Sequence, residues 1–248
     1  FLVLEPWITP SLFYQFLGAT DKYPGEEAIQ HFAFDSITFC RVLGGEEANR
    51  QLRVHWQHWV TSEQIANLAA IGVETVRIPV ADWMFEPYSP FTNGCWEGAM
   101  EELDRVIALC RRHNLTVLLD LHAVRGSQNG LDNSGDTGHY EWVKGENDSV
   151  RFNHWALRGG DWAGNYDVIH QNYSTVNTSH LLHTLGVLSA IVERYRGEKA
   201  VIGVQPVNEP WWKIPFPLIQ EFYWRSYNLI RARAPHWLVL FHDSFCLL

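Results

Sequence analysis

Glu209 stands between Asn208 and Pro210, directly after the apolar run 200–207. A carboxyl group at such a strand exit can donate a proton to a leaving oxygen while the neighbouring amide holds a hydroxyl. Cleaving a glycosidic bond with retention needs that donor and a second, attacking carboxylate about 5 Å away. Glu209 is the candidate donor and Asn208 the candidate hydroxyl ligand. Further strand-end polar groups are Glu5, Arg77, His122 and Asp243. Arg77 sits inside the apolar stretch Val76-Arg77-Ile78-Pro79, where a charge requires a partner carboxylate. It would orient a nucleophile or form a structural ion pair. His122 closes the run 117–122 and would bind a sugar hydroxyl or be a satisfied core histidine, with Asp120 on the same strand face as its candidate partner. No short ligand spacing points to a metal, and no cofactor is expected.

These groups need rigid elements to hold them. Segments 1–4, 73–79, 115–121, 200–207 and 237–241 are short and nearly continuous in apolar character, as strands covered on both faces must be. Helical patterns alternate with them. Thr61-Ser-Glu-Gln64 opens one in a capping pattern that runs to Ile71, where Gly72 stops it. Trp96 to His113 repeats apolar residues at Met100, Leu103, Val106, Ile107 and Cys110, and Thr178 to Arg196 does so through Leu181, Leu182, Leu185, Leu188, Ile191 and Val192. Pro217 to Ala234 forms a fourth helix. Strand, helix, strand, helix implies a parallel sheet, and polar residues at the strand exits place chemistry where a (β/α)8 barrel keeps it. The expected fold is therefore α/β, a (β/α)8 barrel of which about the first five strands are present, in one incomplete domain spanning 1–248. Long connections follow strands 1 and 3, over 6–60 and 122–177. The second is rich in Gly, Asn, Asp and Trp, which suits loops walling a cleft.

A net charge of −9, with 12 Trp, 9 Tyr and 13 Phe, speaks against a nucleic-acid partner and supplies ring faces of the kind that stack on sugars. No apolar run reaches the ~18 residues of a membrane-spanning helix. Sequons begin at Asn114, Asn147, Asn172 and Asn177, and a secreted glycoprotein, glycosylated in the Asn172 and Asn177 region, is expected. Cys40, Cys95, Cys110 and Cys246 lack the CxxC spacing of zinc or redox sites, leaving room for one or two disulfides in an oxidising compartment. A monomer is expected.

Taken together, several stretches resemble one family. Phe1-Leu-Val-Leu-Glu-Pro-Trp-Ile-Thr-Pro-Ser-Leu-Phe13, Arg77-Ile-Pro-Val80, the long stretch from Asp120 to Gly135, Gln205-Pro-Val-Asn-Glu-Pro210 and Leu240-Phe-His-Asp243 are similar to the exo-β-1,3-glucanases of glycoside hydrolase family 5, known from fungi and oomycetes. The resemblance implies release of glucose from the non-reducing ends of β-1,3-glucan. It implies Glu209 as acid/base, Asn208 and His122 as binders near the cleaved bond, and Arg77 as partner of the nucleophile. Glu5, Asp132 and Asn133 would be hydroxyl ligands of the terminal glucose. The family's nucleophile lies on a seventh strand and no position here matches it, so residues 1–248 are expected to be a fragment truncated at both ends and inactive alone. Ala123-Val-Arg-Gly126 and Leu131 depart from the family pattern, which has Gly-Ala-Pro-Gly and an aromatic residue there. A non-catalytic glucan binder, or an endo-β-glucanase or mannanase of the same family, are the alternative readings.

Overall fold

The computed structural model describes residues 2–23, 27–138, 141–144, 150–153 and 159–245. Its frame is a parallel sheet in which strands Thr75–Ala81, Thr116–Ala123, Val201–Gln205 and Leu238–Val239 lie side by side in chain order. Helix Ala99–Arg112 links the first two strands, Thr178–Tyr195 precedes the third, and Phe216–Arg233 precedes the fourth. Side chains alternate across a strand, so Ile78, Val80, Val117, Leu119, Leu121 and Val204 share one face. They join a buried cluster with Leu103, Val106, Ile107 and Cys110 of the first helix and Val187, Leu188, Ile191 and Val192 of the second. The opposite face carries Arg77, Asp120 and Gln205, and that division into apolar and polar faces creates the site.

The helices expected from spacing form, and Thr61 and Gln64 make both bonds of a capping box ahead of Ser62–Ala70. Two expectations change. Residues 2–4 are buried, yet among the described residues they join no ladder; the Leu4 amide donates to Ser36 Oγ and the Leu2 carbonyl accepts from the Trp96 indole. Their apolar character reports burial, and their hydrogen bonds go to side chains. The buried stripe of Thr178–Tyr195 starts at Thr184; Leu181 and Leu185 pack against the core only partly buried, and Leu182 is 53% exposed.

The connection 6–60 is largely helical, with Ser36–Leu43 capped by Asp35 and then Gly45–Trp59. Ala48, Leu52 and Trp56 recur every fourth residue and bury that second helix, a signal present in the sequence. At Gly45 the chain runs so close to Asn93 that a Cβ would lie 1.9 Å from its carbonyl oxygen. A disulfide between Cys40 and Cys95, 55 residues apart, staples the two segments. Closing a loop of that length stabilises by about 4 kcal/mol in the chain-entropy account. Cys40→Ser is expected to lower stability by about that amount in denaturant titration. Cys246 and Asn147 lie outside the described residues.

The connection 122–177 begins with a tight segment that turns at Asp132–Ser134 and later forms two antiparallel pairs, Glu141–Lys144 with Val150–Asn153 and Tyr166–Asp167 with Asn172–Tyr173.

Candidate active site

Parallel strands deliver their C-terminal ends to one rim, and the register decides which side chains meet there. Pro79 pairs with Asp120 and Asp120 with Gln205, so Arg77, Asp120 and Gln205 lie on one face. The Arg77 guanidinium forms an ion pair with Asp120 Oδ2 at 2.8 Å and donates to Asn208 Oδ1 at 2.7 Å and to Gln205 Oε1 at 3.2 Å. Asp120 is fully buried, and this pairing lets a charge lie under the rim. A register shift at Val80 and Ala81 leaves His122 as the extra residue of a bulge, which re-aims its side chain. His122 Nδ1 lies 2.6 Å from Asp120 Oδ2, and Nε2 lies 3.4 Å from Glu5 Oε1.

Glu209 has a φ of 44°. That left-handed conformation is unfavourable for a residue with a Cβ, more so before proline, and costs on the order of 1–3 kcal/mol. Two ties enforce it. The Asn208 amide donates to the Leu121 carbonyl, and the Trp211 amide donates to the Gln128 carbonyl. Asn133 Nδ2 donates to Glu209 Oε2 at 2.8 Å, while Asn133 Oδ1 accepts from Asn129 Nδ2 at 3.0 Å. The acid is thus aimed by the loop after strand Thr116–Ala123. That loop is fastened in turn by Gln128, whose Nε2 donates to the His122 carbonyl at 2.7 Å.

Burial and charge pull His122 in opposite directions. Burial alone would depress its pKa, but the hydrogen bonds and charges of Asp120 and Glu5 carry it up to about 9, so the imidazolium is the resident form at neutral pH. At Asp132 burial and charge act together: burial first, then the charges of Glu5 and Asp35, push its carboxyl up to about 6. Folded Asp132 therefore keeps its proton longer than the unfolded chain does, and stability falls as pH rises from 3.8 through about 6. Asp132→Asn is expected to raise Tm at neutral pH and to leave it unchanged below pH 3.8, where both side chains are uncharged.

Glu5, Arg77, His122, Asn133, Asn208 and Glu209 are linked to one another by these contacts, and Asp132 joins them through the field of Glu5. Asp243 does not join. It is exposed, accepts from the Phe245 amide and lies 3.8 Å from its neighbour His242, because strand Leu238–Val239 ends early and the chain turns at Ser244. Glu221, the other carboxylate that follows Glu209 in residues 1–248, is ion-paired with Arg225 along helix Phe216–Arg233. The sequence reading missed Gln205, Gln128 and Asn129. Gln205 could have been found two residues before Val207 on an inward-facing strand position, whereas the other two carry no periodic signal.

The family model described as cellulase (glycosyl hydrolase family 5) matches residues 43–244. The glucan 1,3-beta-glucosidase of Blumeria graminis is 31% identical over 247 residues, covering 98% of this chain and 46% of that protein. The probable glucan 1,3-beta-glucosidase A of Emericella nidulans is 32% identical over 251 residues, covering 98% of this chain and 49% of its own length. The chain spans about half the length of the curated relatives it matches. Among solved structures, the rutinosidase from Aspergillus niger superposes with a TM-score of 0.66 at 18% identity, covering 98% of this chain and 60% of that one. At that identity the likeness concerns the fold, and the strand and helix arc described above is part of a (β/α)8 barrel. With the family model matched over most of its length, the chain belongs to glycosyl hydrolase family 5.

Proposed function

We propose that this chain supplies the acid/base half of a retaining glycosidase site that releases glucose from the non-reducing ends of β-1,3-glucan. The observation that carries the reading is the orientation of Asn208. Arg77 can only donate, so its 2.7 Å contact fixes Oδ1 toward the guanidinium. The buried Nδ2 is then left without a partner among the described residues, next in the chain to Glu209. A buried amide donor costs free energy unless an oxygen meets it, and a sugar hydroxyl beside the bond to be cleaved meets that need.

In this reading Glu209 gives its proton to the glycosidic oxygen as the bond to the anomeric carbon breaks. A carboxylate supplied by polypeptide outside residues 1–248 attacks that carbon, and Glu209 then takes a proton from the water that releases β-glucose. Asn208 and His122 hold hydroxyls near the cleaved bond. Glu5, Asp132 and Asn133 hold the terminal glucose, and Arg77 orients the nucleophile as well as Asn208. The names of the curated relatives support the glucan as substrate. The same reading makes the protein a secreted, monomeric glycoprotein with a single catalytic domain. The Cys40–Cys95 disulfide supports an oxidising compartment, and exposed Asn172 and Asn114 are accessible acceptors. Asn177 is less suited, because its Nδ2 is engaged by the Asp161 carbonyl and His180.

The test is glucose release from laminarin by the full-length protein, with the anomer of the first product followed by NMR. β-Glucose is expected. α-Glucose, or binding of laminarin without release, would overturn the proposal.

A further inference from the structure

Outside the site lies a second group of titratable side chains to which the proposed reaction gives no work. Asp82 is the first residue beyond strand Thr75–Ala81 and is fully buried. Its Oδ2 accepts the Arg125 amide at 2.6 Å and lies 3.2 Å from His183 Nε2, while Oδ1 has no hydrogen-bond partner among the described residues. His183, on helix Thr178–Tyr195, places its Nδ1 3.1 Å from Glu86 Oε2. Tyr88 stands edge-on to the His183 ring, with centroids 5.8 Å apart, and carries the Arg125 guanidinium 5.1 Å from its own ring centroid. The end of one strand, the exit of the next and a helix from a third unit thus converge on one carboxylate.

What hangs from that point is the loop that aims the acid. Arg125 opens the segment whose Gln128 fastens to His122, whose Asn129 orients Asn133, and whose Asn133 donates to Glu209. Its entry has little slack. A Cβ at Gly126 would lie 2.5 Å from His180 Nδ1, and the Gly126 carbonyl accepts the Asp161 amide at 2.6 Å.

We propose that the Asp82–His183 pair is a charge latch that positions the loop 125–135 and, through Asn133, Glu209. The inference rests on the proposed function only for its kinetic consequence. A buried carboxylate needs an opposite charge, and His183 provides one while protonated. Its pKa is raised, chiefly by the close approach of Asp82 at 3.2 Å and then, against the opposing effect of burial, by the charges of Asp82 and Glu86; Arg125 pulls it down. Asp82 is raised by burial, against the opposing influence of His183, the Arg125 amide hydrogen bond and Tyr88. The remaining nearby groups are His180, which faces His183 from the same helix, and Asp136, whose charge acts on Tyr88. The pair is intact while Asp82 is ionised and His183 is protonated. As pH climbs through the His183 titration, Asp82 loses its positive partner and the loop loosens.

The experiment uses the full-length protein and two readouts, amide exchange over residues 125–135 and kcat with KM on laminarin, each followed against pH. In the wild type, exchange is expected to accelerate as pH rises through the His183 titration, beyond the intrinsic rate increase. His183→Gln, which keeps a donor but no charge, is expected to exchange about tenfold faster below that titration and to lose the step. Its kcat falls about tenfold while KM stays within about twofold. Asp82→Asn with His183→Gln is expected to recover exchange to within about threefold of wild type, because no carboxylate is stranded. If His183→Gln does not fold, Asp82→Asn alone must lose the pH step. Exchange and its pH step unchanged in a folded variant would refute the latch whatever the activity. Altered exchange in a protein that releases no glucose would refute the proposed function and leave the latch standing.

Discussion

Glu209→Gln is expected to lower kcat on laminarin by about 10²–10⁴-fold, the range that one positioned general acid contributes. Glutamine keeps the size of the side chain and an oxygen to accept from Asn133 Nδ2, so the 2.8 Å contact and the backbone at φ 44° persist. KM is expected to stay within about threefold, because the change removes a proton donor used in the transition state rather than a binding contact. An aryl glucoside whose leaving group needs no proton separates the steps. On it the attack that forms the glycosyl-enzyme proceeds, and the release by water is slowed. Equal losses on both substrates in single-turnover kinetics of that first step would remove Glu209 as the acid.

Asp120→Asn is expected to have the largest effect on stability among the site residues. The carboxylate is fully buried and serves Arg77 and His122 through the same oxygen, Oδ2. Removing one member of a buried pair costs about 3–5 kcal/mol. The lower figure applies here because the Arg77 side chain is 40% exposed and solvent recovers part of its charge. The pH dependence has a definite sign. The folded pKa of His122, about 9, lies above its ordinary 6.5, so its contribution is fully present below pH 6.5 and is lost as pH rises to about 9. With Asp120 replaced, burial dominates and the imidazole pKa falls. Stability measured against pH by urea titration should then lose most of its decline across that window. A variant that keeps the wild-type slope would show that Asp120 does not hold the imidazolium.

The same residues show what was readable in advance. The four helices expected at 61–71, 96–113, 178–196 and 217–234 form within a few residues of those bounds, since apolar spacing, capping pairs and stop residues act through neighbours three or four positions away. The strand at 1–4 was misread for a related reason: an apolar run reports burial, and only a partner strand makes a ladder. Arg77 was legible as a charge needing a partner, because a charge within an apolar strand is an exception by itself.

Sequence by itself determined the alternation of strand and helix, the rim on which Arg77, His122, Asn208 and Glu209 gather, though not the strand expected before Glu5 or the place of Asp243, and the chemistry those residue types can perform. These follow from local periodicity and from the rule that parallel strands end on one face. Tertiary structure decided which way each group points. The bulge that turns His122, the three-way grip of Arg77, the left-handed backbone of Glu209 and the hand-over from Asp82 through Arg125 to Asn133 join segments up to 131 residues apart. No spacing along the chain encodes such contacts, because their geometry is set by strand register and loop packing once the core has formed.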